Sequence, residues 1–327
     1  MKILIRVLGV AVALLGTLQT FATEIYFTGT QSPAIWKGDA DGAMPMSMLY
    51  LGSDASSGPS GPIGIAEANG ELFWGTGNNE EVRKGKADGS GTPVVLANSG
   101  PTPPNSPFDV DERHDVAIDI ANNRYFFTDA EDGIYMAAMD GSGVPMLVTN
   151  DVFSKITSIT YDSASDFIYY SDIGGEVNRV KPDGSAKETL HSGLNGIRDI
   201  TIDFSNGAIY FVNNDIVGRL NLDGTGVSTT LYDPFNFVRS IDIDVTTNEL
   251  FWITFDGPGS TTNDSVQKAS ADGLGTINTL YSGSFGGLRG IAVQRPAVVV
   301  SEPSIIMLMI LSILGLLNRR SYKQRIL

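Results

Sequence analysis

The stretch SITYDSASDFIYYSDIGGEVNRVKPDGSAKETL, residues 158–190, contains four short segments of β type. The β-branched run SITYD comes first, and an aromatic run, IYYS, follows after a polar turn. EVNRVKP then alternates apolar and polar side chains, and a turn at Asp183 and Gly184 leads into SAKETL. An Asp-Gly pair between alternating residues is a strong hairpin signal, because glycine adopts positive φ at little cost. The stretch therefore predicts an antiparallel sheet of four strands.

The same order of segments recurs along the chain. Aromatic quartets like IYYS begin at Ile25, Leu72, Tyr125, Ile168, Ile209 and Leu250. An Asp-Gly pair follows each of them, and successive pairs lie 40 to 52 residues apart. This period is typical of one four-stranded sheet per repeat. The chain is therefore predicted to be all-β, a six-bladed β-propeller of four-stranded blades.

The two ends of the repeat array complete each other. The aromatic strand at Ile25 has no inner strand before it, and the inner strand GIAVQ, residues 290–294, has no aromatic strand after it. Pairing the N-terminal strands with this C-terminal strand would close the ring and leave no open sheet edge. We expect a single propeller domain over residues 23–295.

The aromatic strands and the outer hairpins NRVKPDGS and GRLNLDGTG, residues 178–185 and 218–226, resemble the low-density lipoprotein receptor class B, or YWTD, propeller repeats. Two repeats keep the final aspartate of that motif, as Asp129 and Asp172. The resemblance implies the six-bladed fold over about 270 residues. These 327 residues contain no cysteine, so the cysteine-rich modules of those receptors are absent from them and the receptors' ligand-binding role is not carried over.

Both termini look like targeting segments. Residues 1–22 have the pattern of a signal peptide: Lys2 and Arg6, an apolar run over residues 7–18, and a small-x-small site ending at Ala22. At the other end, a linker over residues 296–304 precedes an apolar helix over residues 305–318. That apolar segment is short for a transmembrane helix. A basic tail, residues 319–327, closes the chain.

The C-terminal order of motif, apolar helix and basic tail resembles the PEP-CTERM sorting signal of Gram-negative bacteria. The motif residues here are Ser301, Glu302 and Pro303. The resemblance implies processing by exosortase, a membrane protease-transpeptidase, after transient anchoring in the membrane by the C-terminal helix. It also implies a place at the cell surface or outside the cell, in association with biofilm and extracellular polysaccharide.

The charge balance narrows the class of partner. The formal net charge is −15, and the two terminal segments hold six of the 22 basic residues. A surface this acidic repels phosphate backbones, so nucleic acid is excluded as a partner. Binding of a surface protein or a polysaccharide remains. The long connections, residues 52–62, 98–114 and 255–266, should share one face of the propeller with the blade-to-blade crossings, and we expect that face to be the interaction surface.

An aspartate ends the inner strand of four repeats. These residues are Asp119, Asp162, Asp203 and Asp244. One hypothesis is a ring of carboxylates that binds Ca²⁺. The other is that each accepts hydrogen bonds from the turn that follows it, and repetition in successive blades favours this structural role.

His114, His191, Asp111 and Asp115 are the candidate metal ligands. Histidine with nearby carboxylates could ligate zinc or act as acid and base, but the two histidines lack the close spacing of a metal motif. No residue is assigned as catalytic, and Ca²⁺ is the one cofactor that the sequence brings into consideration. We therefore expect an exported, non-enzymatic binding propeller. The alternative is a propeller-type hydrolase, lactonase or lyase with a metal at the channel mouth.

Overall fold

The computed structural model describes residues 23–30, 33–55, 61–77, 81–98, 115–129, 133–150, 155–213, 215–234, 236–255 and 263–294. These residues form 24 β-strands, arranged as six antiparallel sheets of four strands each. The predicted six-bladed, four-stranded propeller is therefore confirmed. The predicted signal peptide, sorting motif, C-terminal helix and basic tail lie outside the described residues.

Blade 1 joins the two ends of the propeller, and every other blade is continuous in sequence. Blade 1 contains β1 (Glu24–Gly29), β2 (Ala34–Asp39), β3 (Ser47–Leu51) and β24 (Leu288–Val293). Blade 2 contains β4 (Pro62–Ala68), β5 (Glu71–Thr76), β6 (Glu81–Lys86) and β7 (Val94–Asn98). Blade 3 contains β8 (Val116–Asp119), β9 (Arg124–Asp129), β10 (Gly133–Ala138) and β11 (Met146–Asn150).

The remaining three blades follow the same order. Blade 4 contains β12 (Ile156–Asp162), β13 (Phe167–Asp172), β14 (Val177–Val180) and β15 (Glu188–His191). Blade 5 contains β16 (Asp199–Asp203), β17 (Ala208–Val212), β18 (Val217–Asn221) and β19 (Thr229–Tyr232). Blade 6 contains β20 (Phe237–Asp244), β21 (Glu249–Phe255), β22 (Asp264–Ser270) and β23 (Asn278–Gly283). A 3₁₀ turn, Gly52–Asp54, follows β3.

The second strand of each blade is the aromatic one, and it is buried on both faces because adjacent blades pack against it. In β17 every residue is buried, and in β21 every residue after Glu249 is buried. Trp252 of β21 is fully buried and its ring stacks on Tyr232 of blade 5, with centroids 5.7 Å apart. Trp74 of blade 2 stacks on Tyr50 of blade 1 in the same way, at 5.5 Å. The core thus lies between the blades.

The ring closes within blade 1, as the sequence predicts. Strand β24 pairs with β1 in an antiparallel register that places Ile25 opposite Val293 and Phe27 opposite Ile291. Gln294 extends the pairing, because its N–H donates to the carbonyl oxygen of Glu24 at 2.8 Å. The last strand of the propeller is therefore the innermost strand of the first blade.

Blades 1 and 2 approach each other closely at Gly290 of β24. A Cβ atom at this position would lie 2.2 Å from the carbonyl oxygen of Ile63 on β4. Thr28 bridges the same two blades, because its hydroxyl donates to that Ile63 oxygen at 2.7 Å and accepts the Gly290 N–H at 2.8 Å. Only glycine allows the two innermost strands to come this close.

Within the described residues the structure holds no helix long and apolar enough to cross a membrane.

Candidate functional site

A pocket of about 50 Å³ opens where the six innermost strands begin. Every blade contributes to it, so the pocket lies at the mouth of the central channel. Its lining residues are Ile63 and Gly64 of blade 2, Asp115 of blade 3, Thr157 of blade 4, Arg198 and Asp199 of blade 5, Arg239 and Ser240 of blade 6, and Arg289 and Gly290 of blade 1.

The lining residues occupy two equivalent positions of the repeat. One is the first residue of the β-branched pentad that forms each innermost strand, and the other is the residue before it. In chain order the residues at the first position, called the first set, are Gly64, Asp115, Ser158, Asp199, Ser240 and Gly290, and all of them except Ser158 line the pocket. The preceding set includes Thr157, Arg198, Arg239 and Arg289. The repeat therefore brings chemically different residues into one ring.

The four polar members of the first set form a belt of hydrogen bonds from blade to blade. In each step, a polar side chain of one blade accepts a backbone N–H from the innermost strand of the next blade. The steps are Ile159 N–H to Asp115 Oδ2 at 2.8 Å, Ile200 N–H to Ser158 Oγ at 3.3 Å, Ile241 N–H to Asp199 Oδ2 at 2.9 Å and Ile291 N–H to Ser240 Oγ at 3.1 Å. The belt fixes the relative position of blades 3, 4, 5, 6 and 1.

Asp199 is the central member of the belt. It accepts hydroxyl donors from Ser158 at Oδ1 and from Ser240 at Oδ2, each at 2.5 Å. The backbone N–H of Ile200 also donates to Oδ1, at 2.8 Å. One carboxylate therefore ties together the innermost strands of blades 4, 5 and 6.

Asp115 and Asp199 both hold protons more tightly than free aspartate. Burial, together with repulsion from the Asp199 carboxylate, raises the pKa of Asp115 to about 7. Burial also raises the pKa of Asp199 to about 6, although the two serine hydroxyls and the backbone N–H donors act in the opposite direction. The charge of the pocket therefore changes between pH 5 and 8.

Three arginines stand beside these carboxylates on successive blades: Arg198, Arg239 and Arg289. Each is partly buried. The guanidinium carbon of Arg239 lies 4.0 Å from the centroid of the Phe255 ring, in a cation–π contact that orients the planar group. Among the described residues, the charged groups that line the pocket sum to +1 with both aspartates ionised and to +3 with both protonated.

Of the four candidate metal ligands, the structure places Asp115 in the pocket and His191 elsewhere. His191 ends the outermost strand of blade 4, and its Nε2 lies 2.6 Å from the carbonyl oxygen of Asn221 on blade 5. His114 and Asp111 lie outside the described residues. Among the residues that are described, no group of three or more His, Cys, Asp or Glu side chains could hold a metal ion. The metal site stays a prediction.

The repeat explains the position of His191. In blades 1 and 5 the equivalent residues are Tyr50 and Tyr232, whose hydroxyls donate to the carbonyl oxygens of Lys86 and Ser270 at 2.8 and 2.7 Å. The ring nitrogen of His191 makes the same type of contact, from an outermost strand to the end of the third strand of the next blade. His191 thus takes part in packing between blades.

The four repeated aspartates, Asp119, Asp162, Asp203 and Asp244, contact the turns that follow them. Asp203 accepts backbone N–H groups from Ser205 and Asn206 at 2.9 and 3.1 Å. Asp162 accepts the N–H of Ala164 at 2.9 Å, and Asp244 accepts that of Thr246 at 2.8 Å. Asp119 accepts the N–H of Asn122 at 3.3 Å and also forms an ion pair with Arg124, at 2.6 Å. These are the contacts of turn carboxylates.

The pocket opens on the face where the chain enters each innermost strand from the preceding blade. This is the face that the sequence predicts to carry the long connections, of which residues 56–60, 99–114 and 256–262 lie outside the described residues. Sequence reasoning missed Arg198, Arg239 and Arg289. The sequence does carry a signal, since each arginine directly precedes the pentad of its repeat.

Comparisons with known proteins agree with this architecture. No family model matches the chain. Low-density lipoprotein receptor-related protein 5 of Mus musculus is 22% identical over 187 residues, which is 56% of this chain and 11% of the relative. The Homo sapiens protein of the same name is 23% identical over 189 residues, with the same coverage. The matched region is thus a small part of each relative.

Solved structures give the same result for the fold. A chain in the crystal structure of a nidogen/laminin complex superimposes with a TM-score of 0.66 and 15% identity, over 83% of this chain and 98% of that one. The chain has a YWTD-type propeller fold. TolB from Acinetobacter baumannii also superimposes, with a TM-score of 0.61 and 13% identity, over 88% of this chain and 70% of that one. At these identities the likeness concerns the fold alone.

Proposed function

We propose that this protein is an exported binding module whose channel-mouth face engages a surface protein or an extracellular polysaccharide. The observation that carries the proposal is the pocket on the propeller axis, to which all six blades contribute. A rigid ring that gathers arginine, aspartate, serine and threonine at one opening provides convergent polar groups on a fixed scaffold, as ligand sites require. The similarity to propellers of receptor-related and nidogen-complex chains supports a binding role by analogy.

The absence of cysteine allows a direct test of the face. Asn236→Cys places a single thiol at an exposed site beside the start of β20, on the channel-mouth face. Thr247→Cys places one in the turn between β20 and β21, on the opposite face. Each variant of the full chain is coupled to a maleimide polymer and tested against immobilised glycans and surface extract. We expect the polymer at residue 236 to weaken binding by about tenfold through exclusion of the partner.

The polymer at residue 247 is the matched control, and we expect it to change binding by less than about twofold. An equal loss of binding with the polymer at residue 236 and at residue 247 would contradict the assignment of the channel-mouth face as the binding surface. No binding by the unlabelled chain to any glycan or extract component would contradict the binding function itself.

Export and sorting form the second part of the proposal. Residues 1–22 direct secretion, and residues 301–303 are recognised by an exosortase-like enzyme that removes the apolar C-terminal segment. The support is the order of motif, apolar run and basic tail in the sequence. We expect the native surface protein to lack residues 305–327, as measured by intact mass spectrometry. A mass that includes those residues would indicate a permanent anchor instead.

A further inference from the structure

The pocket collects positive charge in a protein that is otherwise strongly acidic. The net charge of the chain is −15, yet three of its arginines line one opening of about 50 Å³. They belong to blades 5, 6 and 1, which are neighbours in the ring. A cluster of guanidinium groups on adjacent strands of a rigid scaffold attracts anions and repels basic ligands.

The other half of the opening differs in chemistry. Blades 2, 3 and 4 contribute Ile63, Gly64, Asp115 and Thr157 there. The three arginines therefore lie in one half of the opening, beside Asp199 and Ser240, and face a half to which the described residues contribute no basic group. An asymmetric opening of this kind orients a ligand, with its anionic group toward Arg198, Arg239 and Arg289 and its uncharged part toward blades 2 to 4.

The planar guanidinium groups and the small size of the pocket indicate which kind of anion can bind there. A guanidinium group is planar and carries its N–H donors in a fork that matches the two oxygens of a carboxylate. The contact of Arg239 with Phe255 holds one such plane at the mouth. A space of about 50 Å³ accommodates a single small group rather than a complete sugar ring or nucleotide. The ligand group must therefore enter at its end.

We infer that the channel mouth is a receptor site for one carboxylate group, held by Arg198, Arg239 and Arg289, of the kind that a uronic acid residue presents. This inference rests on the proposed binding function and names its ligand class. It favours a polysaccharide that ends in a uronate as the partner, because the pocket admits one small group and the acidic surface of the chain repels a polymer with many carboxylates.

Asp199 makes the site sensitive to pH. Among the described residues, the other charged groups that line the pocket are the three arginines and Asp115. Strand β20 also carries Asp242, which accepts the Thr201 hydroxyl at 2.9 Å and the Val293 N–H at 2.8 Å. Burial raises the pKa of Asp199 to about 6, so this carboxylate gains a proton as the pH falls toward 5. The proton removes a negative charge from the pocket, so a ligand carboxylate binds more tightly.

Calorimetric titration of the full chain with D-galacturonate tests the inference, with D-galactose as the neutral ligand of the same ring. We expect binding of galacturonate and none of galactose at the same concentration. We also expect the Kd of galacturonate to fall by about threefold or more between pH 7.5 and pH 5.5, a range in which the ligand itself stays ionised. Sulfate is titrated as a non-planar anion, and we expect weaker binding.

Variants locate the site. Arg198→Gln, Arg239→Gln and Arg289→Gln should each raise the Kd by about tenfold, since each removes a charge-assisted donor. Arg219→Gln is the matched control, because Arg219 lies on β18, two strands away from the channel, and we expect no change. Circular dichroism and thermal unfolding establish that each variant is folded.

Several results would overturn the inference. These are equal binding of galactose, sulfate binding as tight as galacturonate binding, or a loss in Arg219→Gln equal to that in the pocket variants. If a polysaccharide binds the channel-mouth face and the three pocket variants leave that binding unchanged, the binding function stands and the carboxylate site is wrong. If galacturonate binds the pocket but no macromolecule is captured, the carboxylate site stands and the proposed function is wrong.

Discussion

A chain that ends at Gly287 should fail to form the propeller. It lacks β24, the innermost strand of blade 1, in which Leu288, Ile291, Ala292 and Val293 are all at most 4% exposed. Without this strand, the buried edge of β1 has no partner for its backbone groups, and an unpaired buried polar group costs about 1–3 kcal/mol. Several such groups together exceed the marginal stability typical of a domain.

The belt of hydrogen bonds would also break at this point. The N–H groups of Ile291 and Val293 donate to Ser240 and Asp242 of blade 6, and Gly290 is bound to Thr28. Loss of β24 therefore separates blade 6 from blade 1 and opens the ring. We expect no cooperative thermal transition by circular dichroism and poor dispersion in amide NMR spectra.

The matched control is a chain that ends at Arg295, which keeps β24 and removes residues 296–327. We expect it to unfold cooperatively, with a midpoint close to that of the full chain. Addition of a peptide with the sequence of residues 288–295 should restore the transition to the shorter chain. A cooperative transition in the chain ending at Gly287 without the peptide would refute closure by β24.

The fold could be predicted from the sequence because each blade repeats the same local signals. The β-branched pentad, the aromatic quartet and the Asp-Gly turn report backbone conformation and burial, and these are local properties. The ring closure also follows from the number of strands, because the strand at Ile25 and the strand at residues 290–294 each lack a partner within their own repeat. The local strand pattern and the closed topology of the ring therefore require the same pairing.

The site could be predicted only in part, for a physical reason. In the sequence a neighbouring histidine makes Asp115 a candidate ligand, whereas in the structure Asp115 belongs to the site because its position is equivalent to those of Asp199 and Ser240. Equivalent positions in successive blades lie close together in space although they are about 40 residues apart in the chain. A search for ligands that are neighbours in sequence does not detect such residues. His191 is the opposite case. Histidine is typical of metal sites, but here it occupies a packing position that a tyrosine fills in other blades.

The stability of the protein should fall as the pH rises from about 4.5 to about 7.5. Burial and mutual repulsion raise the pKa of Asp115 to about 7, and burial raises the pKa of Asp199 to about 6, whereas the unfolded chain returns both groups to the usual value of 3.8. Between these limits the folded state binds more protons than the unfolded state. The stabilisation is therefore complete below pH 4 and is lost as the pH passes 6 and 7.

The size of the effect follows from linkage. Each unit by which folding raises a pKa corresponds to about 1.4 kcal/mol of stability that is lost over the titration. Urea unfolding of the full chain at pH 4.5, 5.5, 6.5 and 7.5 measures the free energy of unfolding directly. The acidic net charge acts in the same direction, because self-repulsion grows as carboxylates ionise. A variant must therefore separate the two contributions.

Asp115→Asn combined with Asp199→Asn removes both titrations and retains most of the belt, because an amide oxygen still accepts one N–H. We expect this double variant to be less stable at pH 4.5 and to lose much less stability up to pH 7.5. Asp203→Asn is the control. Burial raises the pKa of Asp203, but hydrogen bonds from Ser205 and Asn206 outweigh burial and lower the pKa. This group therefore titrates below the pH range of the measurement. In this control the free energy of unfolding should fall with pH as steeply as in the parent protein. If the free energy of unfolding of the double variant falls just as steeply, general charge repulsion causes the loss of stability. The buried pair at the channel mouth is then already ionised at pH 5.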